Sequence, residues 1–184
     1  MPNFVKTKLE GLIIIEPSVF TDDRGFFMET YSEKVFAENG IDVKFVQDNH
    51  SQSTKGVFRG LHFQKPPYAQ DKLVRCTRGE VLDIVVDIRK DSPTFGQHES
   101  ILISEENKKM VFIPKGFAHS FLVLSDVADF QYKCSNFYNK ESEGGLLFSD
   151  PELKIELPQM ENLILSEKDK LWPTLSNIKE NPIF

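Results

Sequence analysis

The chain has no apolar run longer than four residues, such as Leu12–Ile15, whereas a membrane-crossing helix needs about 20. Its first residues, Met1-Pro2-Asn3-Phe4-Val5-Lys6, lack the apolar core and small-residue cleavage site of a secretory leader. Cysteine is scarce, with only Cys76 and Cys134 in 184 residues. Two thiols so far apart make neither a disulfide framework nor a zinc knuckle, and fit free thiols in β-like runs. Positive charge is in deficit, 22 Lys and Arg against 28 Asp and Glu, for a net charge of −6. That leaves no general basic face for nucleic acid or an anionic membrane, although a local cation cluster can still hold a small anion. No low-complexity stretch or Pro/Gly/Ser-rich linker divides the sequence, so residues 1–184 are expected to form one domain. These absences together point to a cytoplasmic protein without nucleic-acid or membrane partners.

What is present is material for a β-rich core. Sixteen Phe accompany many Ile, Leu and Val. Turn signals recur at Lys65-Pro66-Pro67, Arg78-Gly79, Asp91-Ser92-Pro93, Glu105-Glu106-Asn107, Pro114-Lys115-Gly116 and Asn139 to Gly145. Short strands punctuated this often indicate a sandwich or barrel. Leu12–Ile15 reads as a first strand, Thr21–Gly25 as a turn and Phe26–Tyr31 as extended chain. Ser32 is a candidate N-cap for a helix from Glu33 to Glu38, ended by Asn39-Gly40. Ser166–Trp172 reads as a helical turn stopped by Pro173.

The most informative stretch is Arg59-Gly60-Leu61-His62-Phe63-Gln64. Strand alternation puts Leu61 and Phe63 on one face, with Gly60, His62 and Gln64 on the other. Lys72–Thr77 and Val81–Ile88 follow, and the three runs read as neighbouring antiparallel strands that set a histidine and a glutamine beside a lysine. A weak echo of the first motif is Gly116-Phe117-Ala118-His119.

Four segments, Gln47–Ser51, Lys55–His62, Gln70–Arg75 and Asp91–Gly96, together resemble the dTDP-4-dehydrorhamnose 3,5-epimerase family, a branch of the cupin β-barrels. The resemblance implies an all-β cupin jelly roll with short peripheral helices, acting without a cofactor on a dTDP-4-keto-6-deoxyhexose. It also implies a homodimer whose N-terminal strands cross to the partner and deliver Arg24 and Glu29 there. The family's base corresponds to His62, and the Asp that orients it to Asp169 in Leu165-Ser166-Glu167-Lys168-Asp169. Lys72 corresponds to the group holding the enolate oxygen, Tyr132 to the proton donor, and Tyr138 to the aromatic that stacks on thymine. Gln47, Asn49, Arg59, His119, Glu143 and Lys168 match the remaining sugar-nucleotide contacts.

These residue types suit epimerisation next to a ketone, which requires a base, a donor to the enolate oxygen and an acid opposite the base. Imidazole titrates near neutrality, and a phenol holds its proton at pH 7 yet can pass it on. A metal cupin supplies His-x-His in its first motif, whereas this chain has His62 and Gln64, so no metal is expected. Gln64 also speaks against a related 3,4-ketoisomerase. A single-carbon epimerase and a non-catalytic sugar-nucleotide-binding barrel remain as rivals. Taken alone, His62 reads as a hydrogen-bonded core residue, Lys72 as a solvated strand end, Tyr132 and Tyr138 as packing, and Asp169 as a capping-box partner of Ser166. Asp83 and Asp87 are rival partners for a buried cation. Ser120 and Phe148 stand where the family usually has Gly and Trp, which bears on pocket shape and not on the acid–base set.

Overall fold

A computed structural model describes residues 1–184. Strands β1 (Asn3–Lys6) and β2 (Ile13–Glu16) lead into a hairpin of β3 (Val19–Asp22) and β4 (Gly25–Met28), then helix α1 (Glu33–Glu38). Eight strands follow: β5 (Gln47–Thr54), β6 (Phe58–Gln64), β7 (Lys72–Arg78), β8 (Glu80–Asp87), β9 (His98–Ser104), β10 (Met110–Ile113), β11 (Phe117–Val123) and β12 (Val127–Cys134). A short β13 (Glu143–Gly145) and helix α2 (Leu175–Glu180) complete the chain. One sheet has the order β1-β2-β10-β7-β12-β5 and faces another ordered β13-β6-β11-β8-β9. From β5 to β12 every step crosses to the facing sheet except the β8–β9 hairpin, whose strands pair within one sheet, and this is the jelly-roll arrangement. No helix is long and apolar enough to cross a membrane.

Three apolar layers follow from strand alternation. Val74, Cys76, Val85, Ile103, Val111, Phe121 and Phe130 fill the space between the sheets. Ile15, Leu73, Met110 and Phe112 face outward from the six-stranded sheet and are covered by Phe36 of α1 and Ile41. On the outer face of the other sheet, Phe58, Leu61, Phe63, Ile84 and Leu122 are covered by Leu153, Leu175 and Ile178 from the C-terminal segment. That segment binds the barrel at its entrance, where Phe58 N–H donates to Ile164 O and Ile164 N–H to Gly56 O.

Two expectations from periodicity are corrected. The runs containing His62, Lys72 and Asp83 are not neighbours: β6 and β8 are separated by β11, and β7 lies in the facing sheet. The link from β7 to β8 is a tight crossover at Gly79 (φ +72°), where a Cβ would meet Val127 O at 2.2 Å. Histidine and lysine therefore meet across the barrel. Lys72 is also no solvated strand end, because it pairs in register with Ile113 on one side and Cys134 on the other.

The second correction concerns β6. Uninterrupted alternation would place Phe58 inward with His62 and Arg59 outward. The β6–β11 register slips between His119 and Phe121, so that Gly60-Leu61 forms a bulge opposite Ser120. A one-residue slip exchanges the two faces. Phe58 accordingly packs outside with Leu61 and Phe63, while Arg59 shares the interior with His62.

Candidate active site

At the mouth of the barrel the sheets enclose a cavity of ≈ 630 Å³, lined among others by Arg59, His62, Lys72, His119, Tyr132, Lys168 and Asp169. An adjoining cavity of ≈ 330 Å³, lined by Gln47, Asn49, Tyr138 and Glu143, shares His62, Lys72 and Tyr132 as walls. The two form one cleft. Every site residue anticipated from the sequence lines it except Arg24 and Glu29.

On the β6 side, His62 Nε2 lies 2.6 Å from Asp169 Oδ1. Asp169 is only 3% exposed. Burial works to raise its pKa, but hydrogen bonds from His62 and Trp172 outweigh that and hold it below the ordinary carboxylate range. An ionised carboxylate only accepts, so Nε2 carries the hydrogen in the neutral tautomer of the ring and Nδ1 is then the atom with the lone pair. The Asp169 N–H donates to Ser166 Oγ at 3.2 Å, half of the anticipated capping box. Asp169 is both a turn residue and the histidine's partner.

Opposite, β7 and β12 present Lys72 and Tyr132. Burial depresses the Lys72 pKa, opposed by Cys134, Asp83 and Glu143. Burial raises that of Tyr132, which therefore keeps its proton at neutral pH. A second histidine–carboxylate pair lies deeper: His119 Nε2 is 2.7 Å from Asp83 Oδ2, and burial lowers the His119 pKa. Asp83 Oδ1 is buried without a partner. Asp87, the other rival anion, is occupied elsewhere by Arg89, Ser92 and Thr94.

Toward solvent a polar chain runs along the cleft. Lys168 Nζ donates to Glu143 Oε1 at 2.5 Å, and the Tyr138 hydroxyl lies 3.4 Å from Glu143 Oε2. Tyr138 N–H donates to Gln47 Oε1, and Gln47 in turn to Asn49 Oδ1. The Tyr138 ring is 57% exposed, leaving its face open to a flat ligand. Arg59 is steadied by Ser53 Oγ at 3.0 Å.

The donor set does not fit a metal. Gln64, at the cupin ligand position, donates to Tyr68 O and Phe137 O and accepts from Asn139 N–H, so its amide is spent fixing a loop. Each cleft histidine has its Nε2 on a carboxylate, and no three His, Cys, Asp or Glu side chains converge.

The sequence profile of the dTDP-4-dehydrorhamnose 3,5-epimerase family matches residues 6–177. The chain belongs to this family. It is 58% identical over 168 residues to the dTDP-4-dehydrorhamnose 3,5-epimerase of Shigella flexneri, covering 91% of this chain and 92% of that one. The Escherichia coli K12 enzyme of the same name is 52% identical, with 96% of each chain covered. Among solved structures, the dTDP-6-deoxy-D-glucose-3,5-epimerase of Legionella pneumophila in complex with dTDP-4-keto-L-rhamnose superposes with a TM-score of 0.94. The two share 48% identity, over 98% of this chain and 96% of that one. The protein is thus an epimerase of the isomerase class with a cupin-like barrel.

Within this epimerase chain Arg24 and Glu29 stay outside the cleft. Arg24 caps the β3–β4 turn by ion-pairing with Asp22, and the hairpin pairs with no other strand. Its Phe20, Phe26 and Phe27 are 65%, 58% and 70% exposed. Sequence reasoning missed Trp172, whose indole N–H reaches Asp169, and left Asp83 as one of two alternatives. The Asp83–His119 contact has no local signal, since only the fold joins the two residues, whereas Trp172 stands three residues after Asp169 in one turn, a spacing that could have found it.

Proposed function

We propose that the chain converts dTDP-4-dehydro-6-deoxy-D-glucose to dTDP-4-dehydro-L-rhamnose by inverting C3 and C5, the carbons flanking the C4 ketone. The observation that carries this reading is the opposition of His62 on one sheet, bonded to Asp169 of the C-terminal segment, to Lys72 and Tyr132 on the other sheet. In each inversion His62 Nδ1 takes the C–H proton, and the electron pair left behind becomes the enolate. The Lys72 ammonium holds the enolate oxygen. Tyr132 then delivers its phenolic proton to the opposite face of the carbon, and solvent exchange resets both groups. Asp169 stabilises the imidazolium as it forms.

Tyr138 offers its ring to thymine, and Gln47, Asn49, Arg59, His119, Glu143 and Lys168 bind the nucleotide and sugar oxygens. Arg24 and Glu29 complete the site of a partner subunit in a homodimer. The exposed phenylalanines of the unpaired hairpin support that exchange, since a free apolar ribbon of this kind is unfavourable in water. No metal takes part. Two buried free thiols accord with a cytoplasmic location.

The test is proton NMR of chelator-treated protein with the dTDP-4-keto sugar in D2O. Deuterium should enter at C3 and C5 as the L-rhamno product forms. Incorporation at one carbon alone would make the protein a single-carbon epimerase, and none at all a binding barrel. Activity lost on chelation and restored by one divalent metal would overturn the metal-free mechanism.

A further inference from the structure

One oxygen of Asp169 serves two donors. His62 Nε2 lies 2.6 Å from Oδ1, and Trp172 Nε1–H donates to the same atom at 3.1 Å. The indole stands edge-on to the imidazole, with centroids 6.1 Å apart and an interplanar angle of 75°. It reaches that place because β13 puts Gly145 directly opposite His62, where a Cβ would lie 2.4 Å from the indole carbons. Leu147 N–H donates to Pro173 O at 2.8 Å and fixes the chain just after the tryptophan. Ring, glycine and carboxylate are fitted together around the histidine.

We propose that Trp172 is a positioning residue for the base: its N–H keeps Asp169 ionised and aimed at His62. The proposal rests on His62 being the base. A donor on a buried carboxylate stabilises the anion and lowers the proton affinity of the whole dyad. The proton-accepting dyad, an uncharged imidazole beside an ionised carboxylate, then persists to lower pH than it would without the indole. The other charged or titratable groups facing the dyad are Arg59 on its own strand, His119 from β11 with Asp83 behind it, Lys72 from β7 and Tyr132 from β12. Glu143 from β13 is tied to Lys168, whose Nζ sits 5.7 Å from the centre of the Trp172 ring. None of these donates to Asp169, so removing the indole N–H leaves the carboxylate with His62 and its own turn.

Trp172 is the only tryptophan in the chain, so a single atom can be changed in the intact protein. Expression in a tryptophan auxotroph with 3-benzothienylalanine replaces N–H by sulfur within the same ring outline, and 7-azatryptophan keeps the N–H as a control. With the benzothienyl protein the acid limb of the kcat/KM profile should move up by about one pH unit. At neutral pH kcat should fall about tenfold, as for other lost supporting hydrogen bonds, with KM unchanged. The azatryptophan protein should behave as the parent. The benzothienyl side chain preserves packing, so a merely structural Trp172 would leave limb and kcat at parental values, and that result would overturn the proposal. The His62→Ala protein separates the two readings. If it is inactive while the benzothienyl limb stays put, only the role of Trp172 falls; if it is active, the base assignment falls and this proposal with it.

Discussion

Gly60 lies so close to Ser120 that a Cβ at position 60 would sit 2.2 Å from the Ser120 Cβ and 2.7 Å from His119 O. Its φ of +138° is also one that side chains rarely adopt. This contact creates the bulge that turns Arg59 and His62 into the same cavity, so the register of β6 depends on a missing side chain.

Gly60→Ala should accordingly cost about 3 kcal/mol or more in denaturant unfolding, from overpacking and backbone strain together. Adding Ser120→Gly should recover little, because Ser120 Cα at 2.6 Å and His119 O would still be struck. A near-native midpoint for Gly60→Ala would show that β6 can re-register without loss.

The Asp169 carboxylate tests the dyad in a second way. Asp169→Asn should lower kcat by about 10²–10⁴-fold with little change in KM, because the lost interaction strengthens as the imidazolium forms. The same change affects stability with a definite sign. The folded pKa of Asp169 is depressed, so its contribution is present above the unfolded carboxylate pKa and is lost as pH falls through the folded value. Unfolding curves between neutral and acidic pH should therefore be less pH-dependent for Asp169→Asn than for the parent. A variant with lower melting temperature and normal turnover would reduce Asp169 to a turn residue.

Sharing of sites between subunits is tested by mixing. Arg24→Ala and His62→Ala chains, each nearly inactive, should regain part of the parental rate when co-refolded, since some sites then receive both intact residues. Light scattering should report a dimer. A fully active monomer, or hybrids no better than the separate variants, would leave Arg24 at the hairpin turn and outside catalysis.

The barrel and the residues that line its cleft are legible because the Arg59–Gln64 strand, the Lys72 strand and the Leu165–Asp169 segment each carry a local signature. Their mutual arrangement was not. Periodicity assigns faces within a strand, and it has no access to the bulge that moves Arg59 inward. Adjacency in sequence suggested that the β6, β7 and β8 runs pair with each other, whereas a jelly roll sends successive strands to opposite sheets. Strand β5 was hidden for another reason. Its sequence Gln-Asp-Asn-His-Ser-Gln-Ser-Thr is wholly polar, because Gln47, Asn49 and Ser51 line the cleft instead of a core. Helix α2 escaped notice behind Pro173, although Thr174 and Asn177 form a complete capping box. The first strand, Asn3–Lys6, is short and exposed, and is held mainly by pairing with β2.

The separation of base from acid follows from the two sheets. One group on one face of the sugar ring would tend to return the proton to the side it came from, so inversion needs a second group opposite. His62 belongs to the five-stranded sheet and Tyr132 to the six-stranded one, and both line the cleft. Removing the phenol should leave the first half of the reaction running. In D2O, Tyr132→Phe should still exchange deuterium into the substrate at the first carbon attacked, while inversion drops by about 10²–10⁴-fold, the range for a lost general acid. His62→Ala should abolish exchange and inversion together, since no enolate forms. The informative quantity is the ratio of exchanged to inverted sugar for each variant, measured by NMR. If Tyr132→Phe loses exchange as completely as His62→Ala, or inverts at the parental rate, the two residues are not an opposed acid and base.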